Sequence, residues 1–122
     1  MKTERQQYGE TSETAAVRHL KKNGYRIVKR NYRTKAGEID IIAMDGETIV
    51  FVEVKARRTS EYNPKEAVTR SKQRRISIAA LYYLKANRLL NAKARFDVVA
   101  IGQKNAPDGI EIVKNAFEIA YR

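Results

Sequence analysis

Hydrophobic residues at helical spacing mark the first element of the chain. Over residues 8–23, Ala16 and Leu20 recur with the period of an α-helix, and Glu13 extends the same stripe by one turn. Gly24 follows directly, at a position where helices often end. The pattern therefore predicts a first helix that ends at Gly24 and carries one acidic residue on its buried side.

Segments rich in valine and isoleucine predict five β-strands, and a second helix is indicated by apolar residues at helical spacing from Ile76 to Leu84. The order helix, three strands, helix, two strands favours an α/β fold in which helices flank a mixed sheet, within a single domain spanning residues 1–122. The predicted strands cover residues 25–31, 38–44, 48–55, 96–101 and 110–113, and the second helix covers residues 71–87.

The hairpin of the second and third predicted strands brings charged residues onto one face of the sheet. A two-residue turn at residues 45–46 would place Asp40 opposite Phe51 and diagonal to Glu53. Because alternate residues of a strand share a face, Asp40, Glu53 and Lys55 would project together. Diagonal neighbours lie about 7–8 Å apart, which is close enough for two carboxylates to share one cation.

Asp40 and Glu53 predict a metal site for phosphodiester chemistry. Two carboxylates beside apolar residues repel each other and lose hydration, unless a cation such as Mg²⁺ or Mn²⁺ compensates them. Such an ion neutralises a scissile phosphate and lowers the pKa of a bound water, while Lys55 can stabilise the hydroxide. The alternative is an exposed face with ordinary surface charges, but Ile42 and Phe51 on the same face favour the site.

Two helical residues point toward the same region. Glu13 lies on the buried stripe of the first helix and could reach the metal, whereas Glu10, one turn earlier, is a weaker candidate. Lys72 precedes Ile76 by four residues, so it either contacts phosphate or extends from beside the core as an amphipathic lysine. Asp97 is more consistent with an ion pair to a neighbouring arginine than with a third catalytic acid.

The charge balance indicates a polyanionic partner. The chain has 25 basic and 14 acidic residues, a formal net charge of +11, and such an excess opposes compaction unless a polyanion neutralises it. Nucleic acid is the first candidate, and a ribosome-associated basic protein is the alternative. Tyr32 and Tyr62 flank basic residues and are weak candidates for base stacking. Basic residues concentrate at Arg57, Arg58, Arg70, Lys72, Arg74 and Arg75.

Composition excludes several other kinds of chemistry. The chain has no cysteine, so disulfides, thiolate nucleophiles and cysteine-type zinc sites are absent, and His19 is the only histidine. No long apolar run predicts a membrane span, and residues 1–10 lack the apolar core of a signal peptide, so we expect a cytoplasmic protein. Glycine-rich phosphate loops are also absent.

Several sequence blocks resemble a known family. An acid on a first helix, an Asp on one strand and Glu-x-Lys on the next resemble the PD-(D/E)xK nuclease superfamily, which has the restriction-endonuclease-like fold. The blocks together resemble more closely the bacterial YraN-like family, which is related to archaeal Holliday-junction resolvases. The blocks are residues 24–27, 31–33, 37–40, 50–55 and 95–98, within a match from about residue 12 to residue 117.

The resemblance implies a three-layer fold and a metal-dependent DNA endonuclease that acts on branched or single-stranded structures in recombination or repair. It implies metal ligation by Asp40 and Glu53 and allows the backbone carbonyl of Val54 as a further ligand. It also assigns Lys55 as the catalytic lysine and favours Glu13 over Glu10. Junction resolvases of this type act as symmetric dimers, so the resemblance also implies a homodimer. The competing hypothesis is a nucleic-acid-binding protein that retains this fold without catalysis.

Overall fold

A five-stranded mixed sheet with one helix on each face forms the described part of the computed structural model, which comprises residues 4–56, 68–103 and 106–119. This confirms the predicted α/β architecture and is consistent with a restriction-endonuclease-like fold. The helices are α1 (Glu4–Lys22) and α2 (Arg70–Ala86). The strands are β1 (Arg26–Arg33), β2 (Glu38–Asp45), β3 (Thr48–Ala56), β4 (Ala94–Ile101) and β5 (Ile110–Phe117).

The strands lie in the sheet in their chain order, from β1 to β5. Neighbouring strands are antiparallel except β3 and β4, which are parallel. A parallel pair needs a crossover connection, and α2 supplies it between these two strands. Among the described residues, neither helix is apolar enough over sufficient length to cross a bilayer.

Two separate hydrophobic cores show that the helices lie on opposite faces of the sheet. Leu20 of α1 packs with Ile41 and Val50, whereas Ile76 of α2 packs with Phe51 and the other α2-facing residues. Val50 and Phe51 are adjacent in β3, and successive strand residues point to opposite faces. The molecule therefore has three layers, and the polar residues of α1 and α2 reach the sheet from opposite sides.

The register of the β2–β3 hairpin differs from the prediction by two residues. Asp45 pairs with Thr48 and Ile42 with Phe51, so the turn consists of residues 46–47 rather than 45–46. Because side chains alternate with a period of two, this error leaves the paired residues 41–45 and 48–52 on their predicted faces. Extending the observed register by one pair beyond Ile41↔Val52 places Asp40 directly opposite Glu53 instead of diagonal to it.

Gly24 ends α1 as predicted. It has a left-handed φ of 90°, and its N–H donates to the carbonyl of Lys21 at 3.0 Å. The next residue, Tyr25, donates its N–H to the carbonyl of Leu20, also at 3.0 Å. These bonds satisfy carbonyls that the helix end would otherwise leave unpaired, and they turn the chain directly into β1.

Buried Asp97 anchors the sheet at a distance from the candidate site. Its carboxylate accepts hydrogen bonds from the Tyr25 hydroxyl at 2.8 Å, from Arg95 Nε at 3.0 Å and from the Asn115 N–H at 2.9 Å. Arg95 also bonds Asp45 at 2.6 Å, which joins the network to the β2–β3 hairpin. The structure thus confirms the expected pairing of Asp97 with a neighbouring arginine.

Gly37 permits α2 to approach the β1–β2 turn closely. A Cβ atom at this position would lie 3.0 Å from the backbone oxygen of Arg75 and 3.1 Å from its Cβ atom. Only glycine leaves room for the helix backbone at that distance. This contact sets the position of the first turns of α2, and therefore of Lys72, relative to the sheet.

Candidate functional site

β2 twists at Asp40. Ile39 packs in the core on the α2 face, whereas Ile41 packs in the core on the α1 face, although a regular strand would point both residues the same way. The pairs Arg30↔Ile41 and Tyr32↔Ile39 place Asn31 of β1 opposite Asp40, and Asn31 has a left-handed φ of 54°. The irregularity places Asp40 at the border between the two helical layers.

The backbone of β3 holds Asp40 in place. The Val54 N–H donates to Asp40 Oδ2 at 2.8 Å, just beyond the last backbone pair between β2 and β3, Ile41↔Val52. The Asp40 carboxylate therefore accepts the next N–H group of β3 beyond the last backbone pair of the two strands. This bond orients Asp40 toward β3, so its carboxylate and that of Glu53, which is only 4% exposed, come within hydrogen-bonding reach.

The environment of Asp40 favours its protonated form. Burial is the largest cause, followed by the negative charge of Glu53, and together they raise the pKa of Asp40 to about 7. The Val54 hydrogen bond opposes this shift, whereas the hydrogen bond with Glu53 and the charge of Glu13 reinforce it. Two ionised carboxylates cannot share a hydrogen bond, so the close pair requires either a proton or a cation.

Two lysines flank Glu53. Lys72 Nζ lies 2.5 Å from Glu53 Oε1, and Lys55 Nζ lies 3.8 Å from the same oxygen. Burial opposes the charged form of Lys72, but its hydrogen bond and attraction to Glu53 outweigh this and raise the pKa of Lys72 above its ordinary value. The site thus combines the buried Glu53 and the half-buried Asp40 with two ammonium groups, one from β3 and one from α2.

Glu13 approaches Asp40 from the α1 side. It forms an ion pair with Arg30 at 3.5 Å. In the amide orientation that satisfies its neighbours, Asn31 donates to Glu13 Oε1 at 2.8 Å and to Glu38 Oε1 at 3.2 Å. The negative charge of Glu13 is one of the causes that raise the pKa of Asp40. Glu13 belongs to α1, so it lies on the opposite face of the sheet from Lys72.

The donors present are suited to a hard divalent cation. Within residues 4–56, 68–103 and 106–119, no three acidic or histidine side chains are grouped to bind one metal ion directly. Mg²⁺ commonly binds through one or two carboxylates and keeps waters or phosphate oxygens as its other ligands. The Asp40–Glu53 pair meets that requirement, because its two carboxylates lie next to each other. Ligation by the Val54 carbonyl and by Glu13 remains a prediction.

The predicted DNA-binding residues fall into two groups. Arg70, Arg74 and Arg75 are exposed on the first turns of α2, on the helix that carries Lys72 to the carboxylates. Lys72 itself is turned inward, so it belongs to the acidic site rather than to an exposed basic surface. Arg57, Arg58 and Tyr62 lie outside the described residues, as does the side chain of Glu10.

Sequence reasoning missed the positions that organise this site. Asn31 has only a weak signal, since asparagine is uncommon within strands and tolerates a left-handed φ. Arg30 gives no signal among so many basic residues. The partner of Lys72 was not predictable either, because the spacing of α2 shows that Lys72 lies beside the core but not which sheet residue it meets.

The raised pKa of Asp40 predicts an unusual pH dependence of stability. In EDTA, the folded protein holds a proton on Asp40 that the unfolded chain loses near pH 4, so this group stabilises the fold below that pH. As the pH rises to about 7, this contribution is lost, and the free energy of unfolding falls by on the order of 2–4 kcal/mol. We expect Asp40→Asn to gain stability relative to the wild type over this interval, measured by urea unfolding.

Glu47→Gln is the matched control for this comparison, because Glu47 is exposed in the turn of the same hairpin. It removes the same charge without removing a buried acid, so its difference from the wild type should stay nearly constant with pH. A difference for Asp40→Asn that is equally independent of pH would contradict the described coupling between Asp40 and Glu53.

Comparison with known proteins identifies relatives that cover this site. Residues 12–101 match the family model described as "Uncharacterised protein family UPF0102", which is the YraN family. The match includes α1 from residue 12 and all of β1, β2, β3, α2 and β4. It therefore covers Glu13, Asp40, Glu53, Lys55 and Lys72.

Curated relatives match almost the full chain. A UPF0102 protein of Desulfosudis oleivorans is 55% identical, covering 97% of this chain and 95% of the relative. UPF0102 proteins of Geotalea uraniireducens and Syntrophus aciditrophicus are 57% and 53% identical, each over 93% of this chain and about 90% of the relative. These names assign no activity, so the evidence for function comes from the site itself.

Proposed function

The chain belongs to the UPF0102 family, and from its paired carboxylates at Asp40 and Glu53 we propose that it is a metal-dependent endonuclease that hydrolyses phosphodiester bonds in DNA. We propose branched or single-stranded DNA, as met in recombination or repair, as the substrate. Family membership confirms the YraN-like resemblance but names no reaction, so the proposal depends on the chemistry of the site.

The observation that carries the proposal is the contact between half-buried Asp40 and buried Glu53 in a chain with a net charge of +11. Placing two acids together at low exposure costs stability, and the raised pKa of Asp40 reflects that cost. Strongly perturbed carboxyl groups of this kind occur preferentially at functional sites. A basic protein with such an acidic pair is suited to bring a cation to a polyanion.

The residues divide the chemistry among them. Asp40 and Glu53 would hold Mg²⁺ or Mn²⁺, with the Val54 carbonyl as a further oxygen donor and Glu13 assisting through a water. When bound, the ion would supply positive charge to the scissile phosphate and increase the acidity of a water. Lys55 would stabilise the attacking hydroxide. The hydroxide oxygen would bond to phosphorus as the bond between phosphorus and one of the two nucleoside oxygens breaks.

Lys72 supports the same site from α2. Its ion pair holds the Glu53 side chain in place, and the exposed Arg70, Arg74 and Arg75 are on the same helix. These arginines, together with Arg57 and Arg58, would bind phosphates and set affinity without reading base sequence. Two opposed strands of a junction require two such sites, so we also propose a homodimer, and the expected location remains the cytoplasm.

Cleavage of labelled DNA tests the proposal. The substrates are four-way junctions, flaps, single strands and plain duplexes, each incubated with Mg²⁺, with Mn²⁺ or with EDTA. We expect metal-dependent cleavage of at least one unpaired or branched substrate, and a rate about 10²–10³-fold lower for Lys55→Met. Lys21→Met, at an exposed position on α1, should cleave like the wild type.

One observation favours a second candidate function. Lys72 already neutralises Glu53 at 2.5 Å, as it would in a protein that keeps this fold to bind nucleic acid without cutting it. Such a protein would bind the same substrates with a strong salt dependence and cleave none of them in either metal. That result would overturn the endonuclease proposal and establish the binding protein.

A further inference from the structure

A cleft separate from the carboxylate site lies between the β1–β2 turn and the C-terminal half of α2. Its volume is about 430 Å³, within the range of small-ligand sites. The residues that give it chemical character are two tyrosines, Tyr32 and Tyr82, and three cations, Arg33, Lys35 and Lys85. A cleft that combines aromatic rings with positive charges is suited to a ligand with both a flat ring and negative charge.

Tyr82 presents its ring to solvent. It is 49% exposed, although it is a large aromatic residue on a helix whose opposite side packs against the sheet. Its neighbour Tyr83 is directed inward and meets the ring edge of Tyr32 at a centroid distance of 5.4 Å. Tyr32 is therefore held by the core, while the face of Tyr82 remains accessible for stacking.

Both walls of the cleft are held in position. On the turn, the Thr34 hydroxyl accepts from the N–H groups of Ala36 and Gly37, each at 3.1 Å. Gly37 packs against the backbone of Arg75, which joins the turn to α2. Because little ordering is needed on binding, the cations Arg33 and Lys35 lose less conformational entropy than they would on a loose loop. Arg33 is also paired at 3.5 Å with Glu38, so part of its charge is compensated.

α2 connects the cleft to the candidate catalytic site. Lys72, which contacts Glu53, and Tyr82 are ten residues apart, or about 15 Å along the helix axis. At about 3.4 Å per nucleotide of one strand in a duplex, this distance corresponds to about four nucleotides. Tyr82 follows Arg75 by seven residues, and Lys85 follows Tyr82 by three, so the three side chains share one side of α2. Arg75 lies between the carboxylate site and the cleft.

From these observations we infer that the cleft binds an unpaired nucleotide, with its base stacked on Tyr82 and the flanking phosphates contacting Lys35 and Lys85. The inference rests on the proposed function for the choice of nucleic acid as the partner. It extends that proposal by specifying the substrate, which must have at least one unpaired nucleotide about four nucleotides from the bond that is cut. A fully paired duplex keeps its bases stacked and cannot fill the cleft.

A tryptophan probe tests the stacking directly, since the natural chain contains no tryptophan. In Tyr82→Trp, an oligodeoxythymidylate added in EDTA should quench the indole fluorescence, and a hairpin duplex with the same number of phosphates should quench it much less. Leu90→Trp is the control, because Leu90 is 55% exposed beyond the end of α2. Absence of quenching in Tyr82→Trp, or equal quenching by the duplex, would overturn the inference.

Affinity measurements separate this inference from the proposed function. By fluorescence anisotropy in EDTA, Tyr82→Ala should bind the oligodeoxythymidylate about 10-fold more weakly, and Tyr82→Phe should restore most of the affinity. Lys85→Ala should lower the salt dependence of binding by about one ion, whereas Lys21→Ala should not. Unchanged affinity in Tyr82→Ala would contradict nucleotide binding in the cleft but not the endonuclease activity. Stacking without cleavage under any metal condition contradicts the endonuclease alone.

Discussion

Replacing Asp40 by asparagine is expected to lower metal-dependent cleavage by about 10³-fold or more while making the metal-free protein more stable. The amide keeps the shape of the side chain but removes the negative charge that would hold the cation. It also removes the charge whose burial and repulsion by Glu53 raise the pKa of Asp40. Single-turnover cleavage rates and the Tm in EDTA at pH 8 would measure the two effects.

The opposite signs of these effects exclude the simplest alternative explanation. A variant that lost activity because it unfolded would have a lower Tm, not a higher one. Glu53→Gln should lose activity to a similar extent, but without a gain in stability, because it leaves the half-buried Lys72 beside an uncharged partner. Glu47→Gln should change neither quantity appreciably. Cleavage by Asp40→Asn at the wild-type rate would place the active site elsewhere in the protein.

Asp97→Asn is expected to destabilise the fold more than any substitution at the candidate site, by about 3–5 kcal/mol in the free energy of unfolding. Asp97 is fully buried, and its two oxygens accept from Tyr25, Arg95 and the Asn115 N–H. The amide NH₂ group of the asparagine would face the N–H and O–H groups that now donate to Asp97, so it would find no acceptor there. The charge of Arg95 would also be only partly compensated. Urea unfolding followed by circular dichroism measures the loss.

Asp108→Asn provides the matched comparison for Asp97→Asn. Asp108 forms an ion pair with Lys22 at 3.7 Å, but both side chains are about 70% exposed. Its left-handed φ of 57° is one that asparagine tolerates, so the same chemical change should cost less than about 1 kcal/mol. If the two variants lost similar stability, the Asp97 network would not be the anchor of the sheet.

The elements that the sequence predicted well are those with a clear hydrophobic period. The second helix is observed at Arg70–Ala86 against a prediction of 71–87, since its apolar stripe is regular. β5 was predicted too short, ending at Val113 instead of Phe117. Its last residues include Lys114 and Asn115, which interrupt the apolar pattern. Their place in the sheet depends on the bond from Asn115 to Asp97, which no local pattern reveals.

The register error of the β2–β3 hairpin shows which part of the site was robust. In a regular strand the face of a residue depends on whether its number is odd or even, so an error of two residues does not move a side chain to the other face. Asp40, Glu53 and Lys55 lie together although the alternation of β2 is interrupted at Asp40. The pairing of particular residues depends on the turn, and the turn moved by one position. The sequence therefore predicted the composition of the acidic face correctly and the neighbour of Asp40 incorrectly.

Local periodicity by itself determined the α/β architecture and the set of charged residues on the acidic face, because short-range geometry controls both. Only the tertiary structure decided that Lys72 meets Glu53, that Glu13 approaches Asp40 from the opposite layer, and that Asp97 is a structural anchor. Each of these contacts joins residues far apart in the chain, and Tyr25 and Asp97 are separated by 72 positions. Such contacts depend on how the layers pack, and packing is a property of the whole fold rather than of any segment.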